Sequence, residues 1–179
     1  MRIREAGPGD IPAIARVVVD TWRTTYRGIL PDAVLANLSY AQREQVWMRA
    51  LENQENPATM YVAETETGEV VGVASGGRTD PPEARYQGEL AAIYILAAYQ
   101  GHGLGSRLLA AVAEGLAARG LTGLLVWVLA DNPACRFYER LGGRRVYEKP
   151  VEVGGVPLPL AGYGWADATI LWAPPRKPA

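Results

Sequence analysis

Three observations on the sequence predict an α/β fold with a mixed central sheet. Read for periodicity and turn signals, the elements run β-α-α-β-β-β-α-β-α-β-β, about seven strands and about four helices. Ile93-Tyr94-Ile95-Leu96 gives way, across Gln100-Gly101-His102-Gly103-Leu104-Gly105, to an amphipathic row of Leu104, Leu108, Val112 and Leu116. That is a strand, a glycine turn and a helix. Leu124-Leu125-Val126-Trp127-Val128-Leu129 is apolar on both faces, the pattern of a buried central strand.

The elements follow in order. Arg2 to Arg4 reads as a short first strand. Asp10 is the expected N-cap of a helix with Pro12 in its first turn and Ile14, Val17, Val18, Thr21 and Trp22 on one face. The stretch from Tyr26 to Asp32, with Gly28 and Pro31, interrupts it. Ser39 and Gln42 fit a capping box ahead of a second helix carrying Val46, Trp47, Ala50 and Leu51. Met60 to Glu64 and Val70 to Ala74 flank Thr65-Glu66-Thr67-Gly68-Glu69 as a hairpin. A loop over Arg78 to Glu83 precedes a strand from Glu89 to Leu96 and a helix from Gly103 to Arg119. Asp131-Asn132-Pro133 opens a helix that Gly142-Gly143 stops. Arg144 to Val153 and Leu158 to Trp165 form a last hairpin around Gly154-Gly155. Residues 1–172 are expected to form one domain, and the Pro-rich Ala173 to Ala179 a disordered tail.

Composition bounds the function. Hydrophobic residues are 49% and charged residues 21%, with a formal net charge of −1 and no basic cluster, which disfavours nucleic acid and anionic membrane as partners. The longest apolar run, Leu124 to Ala130, is too short to span a bilayer, and the first residues lack the apolar core of a signal peptide. Cys135 is the single cysteine, so neither an internal disulfide nor a cysteine zinc site is expected, and no metal is. A cytoplasmic location is the expectation.

The glycine turn aims free backbone N–H groups and a positive helix end at one point, which suits a phosphate. Two familiar phosphate loops fail on residues. A dinucleotide fingerprint needs glycine where Ser106 or Leu108 stands, and a Walker loop needs a lysine, yet none precedes position 149. What remains is Gln/Arg-x-x-Gly-x-Gly after an apolar strand. With Glu89 to Leu96 leading in, Leu124 to Leu129 as the next strand, and Asp131-Asn132-Pro133 running to Phe137-Tyr138-Glu139-Arg140-Leu141-Gly142, the chain resembles the GNAT superfamily of acyl-CoA-dependent N-acetyltransferases.

The resemblance implies a GNAT-like acyl-CoA N-acyltransferase fold that moves an acetyl group from acetyl-CoA to a primary amine in a ternary complex. Backbone N–H groups of Gln100, Gly101, His102, Gly103, Leu104, Gly105 and Ser106 would hold the coenzyme A pyrophosphate. Ile93, Tyr94 and Ile95 would pair with the pantetheine arm like an added strand, and an N–H of Ile93 or its neighbour would meet the thioester oxygen. Tyr138 matches the family's general acid and Glu89 the position of its general base, an assignment shared with bound water in other members. Asn132 resembles the asparagine that contacts the coenzyme. Many members place that asparagine seven residues before the tyrosine, so Asp131 and Asn132 both stand for it. Trp22, Tyr26, Arg27, Tyr163 and Trp165 fall where acceptor pockets form, and a homodimer through the C-terminal strands is common in the superfamily. A non-catalytic acyl-CoA-binding module, or an acyl transferase built on Cys135 with His102, stand as alternatives.

Overall fold

The computed structural model describes residues 1–172; the expected tail lies outside the described residues. The elements are β1 (Arg2–Glu5), α1 (Ile11–Thr25), α2 (Asp32–Ala36), α3 (Tyr40–Glu52), β2 (Thr59–Glu64), β3 (Val70–Arg78), β4 (Gly88–Ile95), α4 (Leu104–Ala117), β5 (Leu124–Leu129), α5 (Ala134–Arg140), β6 (Arg144–Val153) and β7 (Val156–Trp165). The seven strands form one sheet in the order β1-β2-β3-β4-β5-β7-β6. Every neighbouring pair is antiparallel except β4 and β5. Among the described residues no helix is long and apolar enough to cross a membrane.

Two cores cover the sheet. On one face α1 packs Ile11, Ile14, Val17 and Val18 with Trp47 of α3 against Met60, Val62 and Val73. On the other, Leu104, Leu108, Val112 and Leu116 of α4 meet Leu90, Val126 and Tyr138. Each such fully buried aliphatic side chain contributes about 1.5–3 kcal/mol. The 3.6-residue spacing in α1 and α4 dictates these faces.

Four details differ from the sequence reading. α2 is a fifth helix, of five residues after Pro31, too short for its periodicity to show. β3 runs on to Arg78 because Gly76 and Gly77 pair with Leu90 and Glu89. Asp10 does not cap α1 with its side chain; it accepts two 2.8 Å bonds from the Arg4 guanidinium and one from the Gly7 N–H. Val46 stands 49% exposed instead of joining the α3 core.

One irregularity aims the site. Ser75 pairs with Ala92 and Gly76 with Leu90, so Ala91 is an extra residue in β4. Such a bulge reverses side-chain parity. Leu90 therefore shares the α4 face with Ile93 and Ile95, while Ala92 and Tyr94 turn to the α1 face. Gly76 permits it, for a Cβ there would lie 2.7 Å from both the Glu89 carbonyl oxygen and Val112 Cγ1.

Candidate active site

β4 and β5 pair at Gly88 with Leu124, Glu89 with Leu125 and Leu90 with Val126, and no further. β5 stays joined to β7 along its whole length, so the two parallel strands part like the arms of a V. The opening holds a cavity of about 1010 Å³, lined by both arms, by Thr21, Trp22 and Tyr26 of the α1 end, and by the glycine turn. In the β3–β4 ladder Leu96 N–H donates to the Val71 carbonyl oxygen at 3.0 Å. Alternation along an antiparallel pair then turns the Tyr94 N–H to β3 as well, and the N–H groups of Ile93 and Ile95 toward the cavity. These are strand donors with no strand opposite.

The glycine turn closes the narrow side of this space. Gly101 and Gly103 have φ of 78° and 76°, in the left-handed region that favours glycine, and Gly103 is the N-cap of α4. No side chain caps the helix, so its first N–H groups remain available for an anion. Gln100 Nε2 donates to the Ile95 carbonyl oxygen at 2.9 Å and ties the turn to β4. A Cβ on Gly105 would sit 3.1 Å from Phe137 Cε2, so glycine there lets α5 close on the turn. Gln100, Gly101, Gly103, Gly105 and Ser106 line the cavity. His102 is exposed and Leu104 is buried in the α4 core, so these two belong to the turn through their backbones alone.

Tyr138 lines the same cavity and is only 3% exposed. Phe137, Tyr163 and Trp165 surround its ring at centroid distances of 5.2, 5.9 and 6.2 Å. Burial, then the neighbouring phenols of Tyr26 and Tyr94 and the Cys135 thiol, push its ionisation far above the ordinary phenol range. It therefore stays a proton carrier at neutral pH. Asn132 is buried, lines the cavity and accepts the Ala134 N–H on Oδ1 at 2.9 Å, while Asp131 is exposed.

Glu89 is half-buried where β4 and β5 are still paired, and it is not among the residues around the cavity. Burial raises its pKa, Lys149 opposes the rise and Asp80 adds to it. Lys149 itself is held 3.9 Å over the Trp127 ring. Cys135 lies 3.6 Å from the carbonyl oxygens of Leu129 and Ala130. Burial raises its pKa first of all, with Tyr163, Arg145 and Glu139 acting on it and His102 not among them.

Of the expected acceptor residues, Trp22 and Tyr26 line the cavity. Tyr163 and Trp165 do not; they are 1% and 2% exposed and stand behind Tyr138 as core. Arg27 is exposed and away from the lining. Thr21 and Tyr94, whose side chain the Ala91 bulge re-aims, also line the cavity and were not legible as site residues, because neither the bulge nor the packing of the α1 end leaves a sequence mark. Among the described residues no group of three or more His, Cys, Asp or Glu could hold a metal.

A sheet opened between parallel strands, with unpaired strand donors on one arm and a glycine-capped helix start beside it, defines an acyl-CoA-dependent acyltransferase. Residues 19–143 match the acetyltransferase (GNAT) family, and the chain belongs to it. It is similar to the uncharacterized N-acetyltransferase YuaI of Bacillus subtilis, with 41% identity over 94% of this chain and 95% of that one. It is also similar to the L-methionine sulfoximine/L-methionine sulfone acetyltransferase of Pseudomonas paraeruginosa, with 33% identity over 94% and 91% of the two chains. Among solved structures, yncA of Salmonella typhimurium with its cofactor acetyl-CoA matches at a TM-score of 0.70 and 25% identity, covering 92% of each chain.

Proposed function

We propose that residues 1–172 form one catalytic domain that acetylates a primary amine directly from acetyl-CoA in the cytoplasm. The observation that carries this reading is the parting of β4 from β5 after Leu90, with Tyr138 at the cavity so formed. The residues fit acetyl-CoA: the N–H groups of Ile93 and Ile95 suit an extended amide-bearing arm, and the α4 start with Gly101 and Gly103 suits a pyrophosphate. Acetyl-CoA supplies an acetyl group activated as a thioester.

The chain's own residues do the rest. An ammonium acceptor is unreactive until it loses a proton, and its pKa is near ~10.4. Glu89 takes that proton through water, since it stands outside the cavity wall; burial and Asp80 make it a stronger base than an ordinary carboxylate. The amine nitrogen then forms its bond to the acetyl carbon, and the Ile93 N–H stabilises the charge gathering on the carbonyl oxygen. As the carbon–sulfur bond breaks, the Tyr138 hydroxyl gives its proton to the departing thiolate, and the second proton shed by the nitrogen as it becomes an amide passes through water to restore the phenol. Asn132 positions the arm beside the phenol.

The test is acetyl-CoA turnover against a broad panel of amines, followed as free thiol and as acetylated amine. One thiol released per amine acetylated is the expected result. Coenzyme binding with no release across the panel overturns the reading.

A further inference from the structure

Lys149 is the only lysine among the described residues, and the chain's other lysine is Lys177. Its side chain is exposed and forms no salt bridge among the described residues. Its ammonium lies 3.9 Å over the Trp127 ring. A single cation–π contact at an exposed site is a weak hold. The amine is therefore placed without being fixed.

The ring beneath it belongs to the cavity. Trp127 lines that space and directly follows Val126, the last residue of β5 to pair with β4. The tryptophan is thus rooted where the two arms part. Gly162 lets the ring lie across β7, since a Cβ there would sit 3.1 Å from Trp127 Cζ3, and Tyr147 stacks beside it at 27°. Lys149 is not in the cavity wall; it meets the wall at this ring. It leaves β6 on the cavity side, because its ladder partner Leu160 and the residue two further on, Val151, both line the cavity. Glu89 shares that face. It pairs with Leu125, two residues before Trp127, and the Lys149 charge acts on its carboxyl. A primary amine, the proposed base and the opening of the V meet on one patch of the sheet.

We infer that the Lys149 ε-amine is an acetylation site of this domain, modified from acetyl-CoA by the chain's own cleft. This rests on the acetyl-transfer reading above and adds an acceptor that the chain carries itself. The four-carbon stem is flexible, so Nζ can leave the ring and enter the cleft. There it loses one proton through water to Glu89, and its lone pair forms the bond to the acetyl carbon. The carbon–sulfur bond breaks, and the thiolate takes the Tyr138 proton. The second proton shed by Nζ returns through water to the phenol. The products are acetyl-lysine, free coenzyme A and one proton. The acetylated side chain carries no charge, so it no longer holds to Trp127 or acts on Glu89.

The test uses the full chain with acetyl-CoA bearing a deuterated acetyl group and no added amine, followed by mass spectrometry of its peptides. Lys177, outside the described residues, reports uncatalysed acetylation in the same sample. Lys149 is expected to gain the label at least about tenfold faster than Lys177, the advantage of a held amine over a free one. Its first-order rate constant should not change with protein concentration. Tyr138→Phe should slow labelling of Lys149 about 10²- to 10⁴-fold and leave Lys177 as it was. Trp127→Leu keeps an apolar wall and removes the ring, and should slow Lys149 by a smaller factor. Lys149→Arg should remove the fast phase from the mass of the intact protein. Lys149 labelled no faster than Lys177, a rate constant that climbs with protein concentration, or labelling that Tyr138→Phe leaves intact each overturns the inference. Free amines acetylated by a chain whose Lys149 stays unlabelled overturn this inference alone; Lys149 labelled as expected with every free amine inert overturns the reading of a free amine acceptor alone.

Discussion

Leu90 and Val126 are the last residues to pair across β4 and β5, and the next residue, Ala91, is the bulge that turns Tyr94 toward α1. Separation and re-aiming thus occur within one residue of each other. The strand that loses its partner there keeps its N–H groups at Ile93 and Ile95, and these face the cavity instead of a neighbouring strand.

Tyr138→Phe keeps the ring packed among Phe137, Tyr163 and Trp165 and removes only the hydroxyl. Turnover is expected to fall by about 10²- to 10⁴-fold, the usual worth of general acid–base help, with acetyl-CoA affinity nearly intact. Steady-state kinetics and calorimetry on the same protein separate the two, and an unchanged kcat removes Tyr138 as the acid.

Gly103→Glu strains a residue at φ 76° and brings a carboxylate to the α4 start. Acetyl-CoA binding should be lost in calorimetry. The site around the position is open, with nothing within 4 Å of a Cβ, so the fold should persist by circular dichroism. Retained affinity would move the pyrophosphate elsewhere.

Glu89 acts as a base only when ionised, so kcat/KM should fall on the acid side with a midpoint above the ordinary carboxylate value, because burial raises it. Lys149 opposes that rise, so Lys149→Met should move the midpoint to higher pH. Glu89→Gln should abolish this limb and lower kcat about 10²-fold. A group whose folded pKa exceeds its unfolded one contributes stability below the unfolded pKa and loses it as pH rises through the folded value. Glu89→Gln should therefore leave stability at neutral pH unchanged or slightly higher in urea titrations. A Lys149→Met profile identical to the parent would exclude Glu89 as the titrating base.

Cys135→Ala should leave turnover within about twofold, since burial holds the sulfur as a thiol where a nucleophile needs a thiolate. Loss of all activity, with an acetyl group trapped on the parent protein, would replace direct transfer by a covalent route.

Most of the fold was legible because its signals are local. The spacing of Leu104, Leu108, Val112 and Leu116 gives α4 its buried face, Leu124 to Leu129 emerges as β5 with those limits, and Gly154-Gly155 turns the last hairpin with positive φ at both residues. α2 escaped because five residues carry too few repeats to show a period. The glycine turn was legible because positive φ at Gly101 and Gly103 favours glycine, whereas Tyr138 was singled out through the family resemblance, and the structure places it at the cavity.

The sequence by itself determined the α/β class, the strand–turn–helix that suits a phosphate, and the resemblance that carried Tyr138 and Glu89. Only the tertiary structure decided that Asn132 rather than Asp131 lines the cavity, that Tyr163 and Trp165 are core, and that Glu89 stands outside the cavity wall. It also decided that Arg43 of α3 stacks on Trp22 of α1. The physical reason is range. Periodicity and turn chemistry act over a few residues, whereas the end of the β4–β5 ladder, the Ala91 bulge and the α1–α3 contact are settled by packing between segments far apart in the chain.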